Sequence, residues 1–169
     1  MLTHRGFSAW IVSEGATLPV YLVATDPKAH RVSCWIPSEA GKTFSVHWSD
    51  AGSQVHSCTF ITLDGFVVPG RFLFGEGTAS REGVRTGNST ERPFVFAQQD
   101  EGSTSQIGQR HREVGMIVVK VKRVRLTGSK PANPLQKIPD ATTAKPQLGG
   151  HHIGWVTMAD KHYMAHRFV

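Results

Sequence analysis

Long apolar runs are missing from this sequence. No stretch approaches the roughly 20 apolar residues that carry a helix across a bilayer. The N-terminal "GFSAWIVSEG" is interrupted by Ser13 and Glu14 too early to serve as the apolar core of a secretory signal. A soluble, intracellular protein, cytoplasmic or nuclear and without a membrane span, is therefore expected. Cysteine is scarce: Cys34 and Cys58 are the only two. In a reducing compartment a chain of this length needs no bridge, so both are expected as buried, inert thiols. Helical periodicity is wanting too, because before the C-terminal end no segment of ten residues or more repeats its apolar positions at helical spacing.

Catalytic signatures are also lacking. Gly70 and Gly75 have the glycine spacing of a phosphate-binding loop, but Glu76 stands where the lysine belongs, and its carboxylate would repel the phosphates. A strand "GRFLF" that ends in a tight Gly-Glu-Gly corner accounts better for these glycines. No Gly-x-Ser-x-Gly elbow occurs. "HYMAH", from His162 to His166, has the histidine spacing of a zinc-binding helix without the glutamate that would act as general base. His151 or His152 could add a third ligand, but surface histidines are the favoured account of all four residues. No catalytic residue, cofactor or firm metal site follows, and an enzyme is not favoured.

What the sequence does contain is a series of short apolar runs separated by Gly, Pro, Ser and Asp. Its 169 residues are 39% apolar, enough for one domain with one core. "GFSAWIVSEG" alternates Phe7, Ala9 and Ile11 against Ser8, Trp10 and Val12, then turns at Glu-Gly. "LPVYLVATD" alternates likewise and leads into an Asp-Pro turn. Asp64-Gly65, set between apolar runs, is the strongest hairpin signal, because both central positions of a type I′ turn need positive φ. In "EVGMIVVKVKRVRL", Ile117, Val119 and Val121 share an inward face, while Met116, Val118, Lys120 and Lys122 share the other. Gly115 marks a bulge or a close backbone approach there.

These patterns predict an all-β fold: an antiparallel, jelly-roll-like β-sandwich of about seven to nine strands over residues 1–126. The expected inner faces carry Trp10, Val20, Leu22, Trp35, Phe44, Val46, Phe60, Leu63, Phe72, Phe74, Phe94, Phe96, Ile117, Val119 and Val121. The polar stretch between Ala97 and Arg112 reads as a long loop. Residues 127–150 hold four prolines and few large apolar side chains, the composition of a linker or draped segment. Residues 151–169 regain Trp155, Tyr163 and Phe168, so a strand or short helix packing back on the domain is expected.

The formal charge of +6 permits anionic partners without requiring them. Arg71, Arg81, Arg85 and Arg92 alternate with Glu76, Glu82 and Glu91, as in an ion-paired rim. Arg110, Arg112, Lys120, Lys122, Arg123 and Arg125 form a purer basic cluster, with His111 among them and only Glu113 opposed. Lys120 and Lys122 share a strand face roughly 7 Å apart, a spacing that suits successive phosphates. Lysines that guard an exposed sheet face from aggregation explain the same pattern.

Taken together, "GFSAWI", "VSCWIPSEAGKTFSVHW", "LDGFVVPGRFLFGEG", "VRTGNSTERPFVF" and "GMIVVKVKRV" resemble an uncharacterised fungal family of mushroom-forming basidiomycetes, a domain of unknown function. The resemblance spans residues 6 to 126, implies a compact β-sandwich and carries over no catalytic residue. The expected function is a non-enzymatic interaction module that binds another protein or its own copy. The alternative is binding of nucleic acid or another polyanion through the basic strand 110–125.

Overall fold

The computed structural model describes residues 1–87, 90–98, 115–128, 155–157 and 164–168; the last two stretches and residues 97–98 are described through their backbone alone. In chain order its strands are β1 (Leu2–His4), β2 (Phe7–Ser13), β3 (Ala16–Thr17), β4 (Tyr21–Asp26), β5 (Arg31–Ser38), β6 (Thr43–Asp50) and β7 (His56–Leu63). They continue as β8 (Phe66–Phe74), β9 (Gly77–Arg81), β10 (Gly83–Arg85), β11 (Glu91–Gln98), β12 (Met116–Arg123), β13 (Trp155–Thr157) and β14 (Met164–Phe168). Among the described residues there is no helix, hence none long and apolar enough to cross a membrane.

The protein is all-β, with predominantly antiparallel sheets. An eight-stranded sheet runs β1-β2-β6-β11-β10, with β3 beside β2, β9 beside β6 and β13 beside β11; a six-stranded sheet runs β4-β5-β14-β12-β7-β8. The parallel pairings come from the C-terminal strands, β13 on β11 and β14 on β12. β14 also pairs antiparallel with β5, so it completes the six-stranded sheet from within. The C-terminal segment therefore contributes strands to both sheets.

Turn chemistry fixes the registers. Leu63 faces Phe66 across Asp64-Gly65, whose φ angles of 48° and 84° are both positive, as a type I′ turn requires. Arg5-Gly6 and Glu14-Gly15 repeat the device in the β1–β2 and β2–β3 hairpins. After β6 the chain is held by Asp50, whose Oδ1 accepts from the Gly52 and Ser53 amides at 3.1 and 2.8 Å while Oδ2 accepts from Ser53 Oγ at 2.6 Å. Burial alone would raise that carboxyl; the three hydrogen bonds prevail and hold it below the ordinary carboxylate range.

One buried cluster draws on both sheets: Leu2, Ile11, Phe44, Val46, Trp48, Val84, Phe94 and Phe96 from the first, Cys34, Ile36, Ile61, Leu63, Val68, Leu73 and Ile117 from the second. Phe44 stacks on Phe96 at 4.3 Å between ring centroids and meets Phe94 at 5.4 Å. Phe44, Val46, Leu63, Phe94, Phe96 and Ile117 are thus core residues as the alternation predicts, and Val20 and Val119 pack against the core.

Leu22, Trp35, Phe60, Phe72 and Phe74 do not face inward. For Phe72 and Phe74 the cause is a β-bulge. Phe60 pairs with Pro69 but Cys58 with Phe72, so β8 carries one extra residue opposite Thr59. A one-residue slip exchanges the two faces of a strand. Before the bulge Val68 points inward; after it Leu73 does, and Phe72 and Phe74 turn outward. Leu22 is displaced in the same way, by a register shift between Tyr21 and Ala24, and sits at φ 48°. Trp35 lies between the buried Cys34 and Ile36, which take the inner face. Trp10 is half-buried while its neighbour Ile11 fills the core.

Candidate functional site

The bulge in β8 decides what the six-stranded sheet presents on its outer side. On β7 the alternation sends Ser57, Thr59, Ile61 and Leu63 inward and His56, Cys58, Phe60 and Thr62 outward. Across the ladder Thr62 meets Val67, Phe60 meets Pro69, Cys58 meets Phe72 and His56 meets Phe74. On the other flank of β7, Lys120 pairs with Phe60 and Lys122 with Cys58. Three adjacent strands therefore lay an aromatic row beside a lysine row on one surface.

The rings on this surface are open to solvent. Phe60 is 36% exposed, Phe72 50% and Phe74 65%, with Val67 beside them at 50%. Lys122 Nζ lies 5.3 Å from the centroid of Phe60, a cation–π contact. His56 meets Phe74 edge to face at 5.5 Å. Burial raises the Cys58 thiol, and the positive charge of Lys122 opposes the shift. Cys58 is thus a protonated thiol on this face, and both cysteines of the chain are outside any disulfide.

The predicted basic cluster is only partly assembled by the fold. Lys120 and Lys122 point outward and join the aromatic row. Arg123 pairs with Ser57, whose side chain is fully buried, so strand alternation puts Arg123 on the opposite side from Lys122, although it is exposed at the strand end. Arg125 is exposed just beyond β12, and Arg110 and Arg112 lie outside the described residues. Phe72 and Phe74 escape a reading by residue type and alternation alone, because the bulge inverts the parity of β8, and Phe60 because Thr59 and Ile61 take the inner face of β7. Gly70, opposite Thr59, ahead of "RFLF" is the available signal.

The phosphate-loop reading fails in the structure as it does in the sequence. Gly75 and Glu76 carry the chain from β8, in the six-stranded sheet, to β9, in the other, and β9 is a strand where a phosphate loop needs a helix N-terminus. The arginines cluster nearby. Arg81 Nε donates to the Pro69 carbonyl at 3.0 Å and Arg85 Nε to the Gly87 carbonyl at 3.0 Å. Burial lowers the Arg81 pKa, the charge of Arg71 adds to this, and Glu91 opposes it.

Of the four C-terminal histidines, His151, His152 and His162 lie outside the described residues. His166 is in the strand β14, in register with Ile36, so the helical spacing that would pair it with His162 does not hold at that end. Among the described residues no group of three or more His, Cys, Asp or Glu side chains is placed to hold a metal ion.

The outer side of the eight-stranded sheet carries a different cluster. Trp10 stacks on His47 at 5.5 Å and 20°, and Ser45 Oγ shares a 2.8 Å hydrogen bond with His47 Nε2. Burial lowers the His47 pKa while the Glu82 charge works against it. The indole covers the imidazole, and the hydroxyl ties it to the neighbouring position on the same strand. No family model matches the chain, and neither a curated protein nor a solved structure does.

Proposed function

We propose that this chain is a non-enzymatic binding module, a jelly-roll-like β-sandwich whose binding site is the outer face of β7, β8 and β12. The sandwich reading is supported by the single buried cluster to which both sheets contribute. The site reading rests on one observation: Phe60, Phe72 and Phe74 stand solvent-exposed on the paired strands β7 and β8. Contiguous exposed rings are a liability that soluble proteins keep where something binds. An intracellular, cytoplasmic or nuclear setting belongs to the same proposal. The resemblance of residues 6–126 to an uncharacterised basidiomycete family is compatible with it and assigns no residue a role.

The test is site-specific photo-crosslinking in an extract of the native cell. A crosslinking side chain at Phe72 should yield a discrete adduct, and one at the exposed Thr78 on β9, in the other sheet, should not. Digestion with nuclease or protease then identifies the class of the adduct. Equal labelling from both positions, or none from Phe72, would remove this face as the site.

A further inference from the structure

Resting on that choice of face, we infer that its ligand is single-stranded nucleic acid, with bases stacked on Phe72 and Phe74 and phosphates held by Lys120 and Lys122. The first support is charge. The outward positions are His56, Cys58, Phe60 and Thr62 on β7, Val67, Pro69, Phe72 and Phe74 on β8, and Met116, Val118, Lys120 and Lys122 on β12. None is a carboxylate. Of the carboxylates nearest in sequence, Asp64 stands in the hairpin, where its Oδ1 accepts from the Gly115 amide at 2.7 Å, Glu76 stands at the corner after β8, and Glu113, ahead of β12, lies outside the described residues. Among the described residues the face is positive and apolar together, with no carboxylate on it to repel an anionic ligand.

The second support is the interleaving of the two residue types. Surfaces for single strands combine a basic track for the backbone with aromatic rings on which successive bases stack. Here the lysines repeat at every second residue of β12, roughly 7 Å apart, and the rings lie across β7 and β8 beside them. The contact of Lys122 with Phe60 already places a cation over one ring of the row. A duplex keeps its base faces stacked internally and could offer this surface only phosphates, so the rings favour single strands. Hydrogen-bonding side chains that could read base edges are few on the face, and stacking with little sequence preference follows.

A second copy of the chain fits less well. In a self-complementary interface the same patch meets itself. Both sides would then bring lysines and neither a carboxylate, and like charges oppose such docking.

Fluorescence anisotropy on the full chain provides the test, with labelled oligo-dT and oligo-U of about 12 nucleotides, a matched duplex, and salt rising from about 50 mM. Both single strands should bind more tightly than the duplex. Lys120→Gln with Lys122→Gln should flatten the slope of log affinity against log salt by roughly 1.4, two phosphates at about 0.7 each. Phe72→Ser and Phe74→Ser should each weaken binding about 5- to 150-fold, the loss of one stacked base, while the salt slope stays unchanged. Lys28→Gln, on the β4–β5 turn, should change little. Thermal melts of each variant check that the fold is intact.

Absence of saturable oligonucleotide binding overturns the inference, as does a salt slope indifferent to the two lysines. If sedimentation velocity instead shows self-association that Phe72→Ser abolishes, the face belongs to a second copy and the reading of the site stands. If the face variants alter neither oligonucleotide binding nor association, and crosslinking from position 72 also fails, both fall.

Discussion

β6 and β7 are strands of equal length and nearly the same inward rhythm, yet they leave opposite surfaces behind them. Each buries every second side chain, Phe44, Val46, Trp48 and Asp50 on β6 and Ser57, Thr59, Ile61 and Leu63 on β7. Outward, β6 shows Thr43, Ser45, His47 and Ser49, and its one ring is closed over by Trp10 and tied to Ser45. β7 shows Phe60 among His56, Cys58 and Thr62, and its neighbours add Phe72, Phe74 and two lysines. The inner faces serve the same purpose, to fill one core, and only the outer faces differ. In a β-protein the side chains left over after the core is filled are where function can be written. The larger rings of β7 and β8 were not needed for packing.

That contrast can be broken most sharply by truncating one buried ring of the eight-stranded sheet and one exposed ring of the six-stranded sheet. Phe94 is 1% exposed and sits against Phe44, so Phe94→Ala should cost about 3–5 kcal/mol in urea unfolding. Phe72→Ala should stay within about 0.5 kcal/mol, as surface changes do. Comparable losses would mean that the outer ring is structural, and the candidate site would lose its basis.

A smaller effect tests the device that turned the rings outward. A Cβ on Gly70 would meet the Thr59 carbonyl oxygen at 2.2 Å, a backbone atom that cannot swing away. Gly70→Ala should therefore cost about 1–3 kcal/mol by overpacking. It should also disturb the exposure of Phe72 and Phe74, readable as a change in oligonucleotide binding or in photo-crosslinking from position 72. A neutral Gly70→Ala would show that the bulge is not pinned there.

The longer strands are legible in the sequence because alternation, Asp-Gly and Glu-Gly are local signals, whereas the short β1, β3, β9 and β10 are not, so residues 1–126 hold twelve strands among the described residues and not the expected seven to nine. The inward face of β12 is legible as well, where Ile117 and Val119 leave no competing choice. Parity along a whole strand was less legible, since a bulge depends on the partner strand: nothing within "VVPGRFLF" alone states that two residues oppose Thr59. Residue size misled as well. Trp35 and Phe60 are bulkier than Cys34 and Thr59, yet the smaller side chains go inside, and on β7 the inner face even accepts Ser57 Oγ and Thr59 Oγ1, which find no hydrogen-bond partner among the described residues. The basic cluster was visible as composition, but its division by strand alternation, with Lys122 outward and Arg123 on the other side, required the register with β7.

The smallest predicted effect belongs to the closed surface. His47 is stacked under Trp10 and bonded to Ser45, and burial lowers its pKa from the ordinary 6.5 although Glu82 opposes the shift. Because the folded form holds the imidazole neutral to a lower pH, the unfolded chain binds more protons once the pH falls below that ordinary value. Stability linked to this group is then complete above about 6.5 and is lost as the pH drops toward the lowered pKa of the folded state. His47→Gln keeps a hydrogen-bonding partner for Ser45 and removes the titration. In urea unfolding at a series of pH values, the stability of the wild type should decline more than that of the variant below pH 6.5, with the two curves parallel above it. A wild-type minus variant difference that stays constant across the whole range would show that His47 is as open to water as the rings on the opposite sheet.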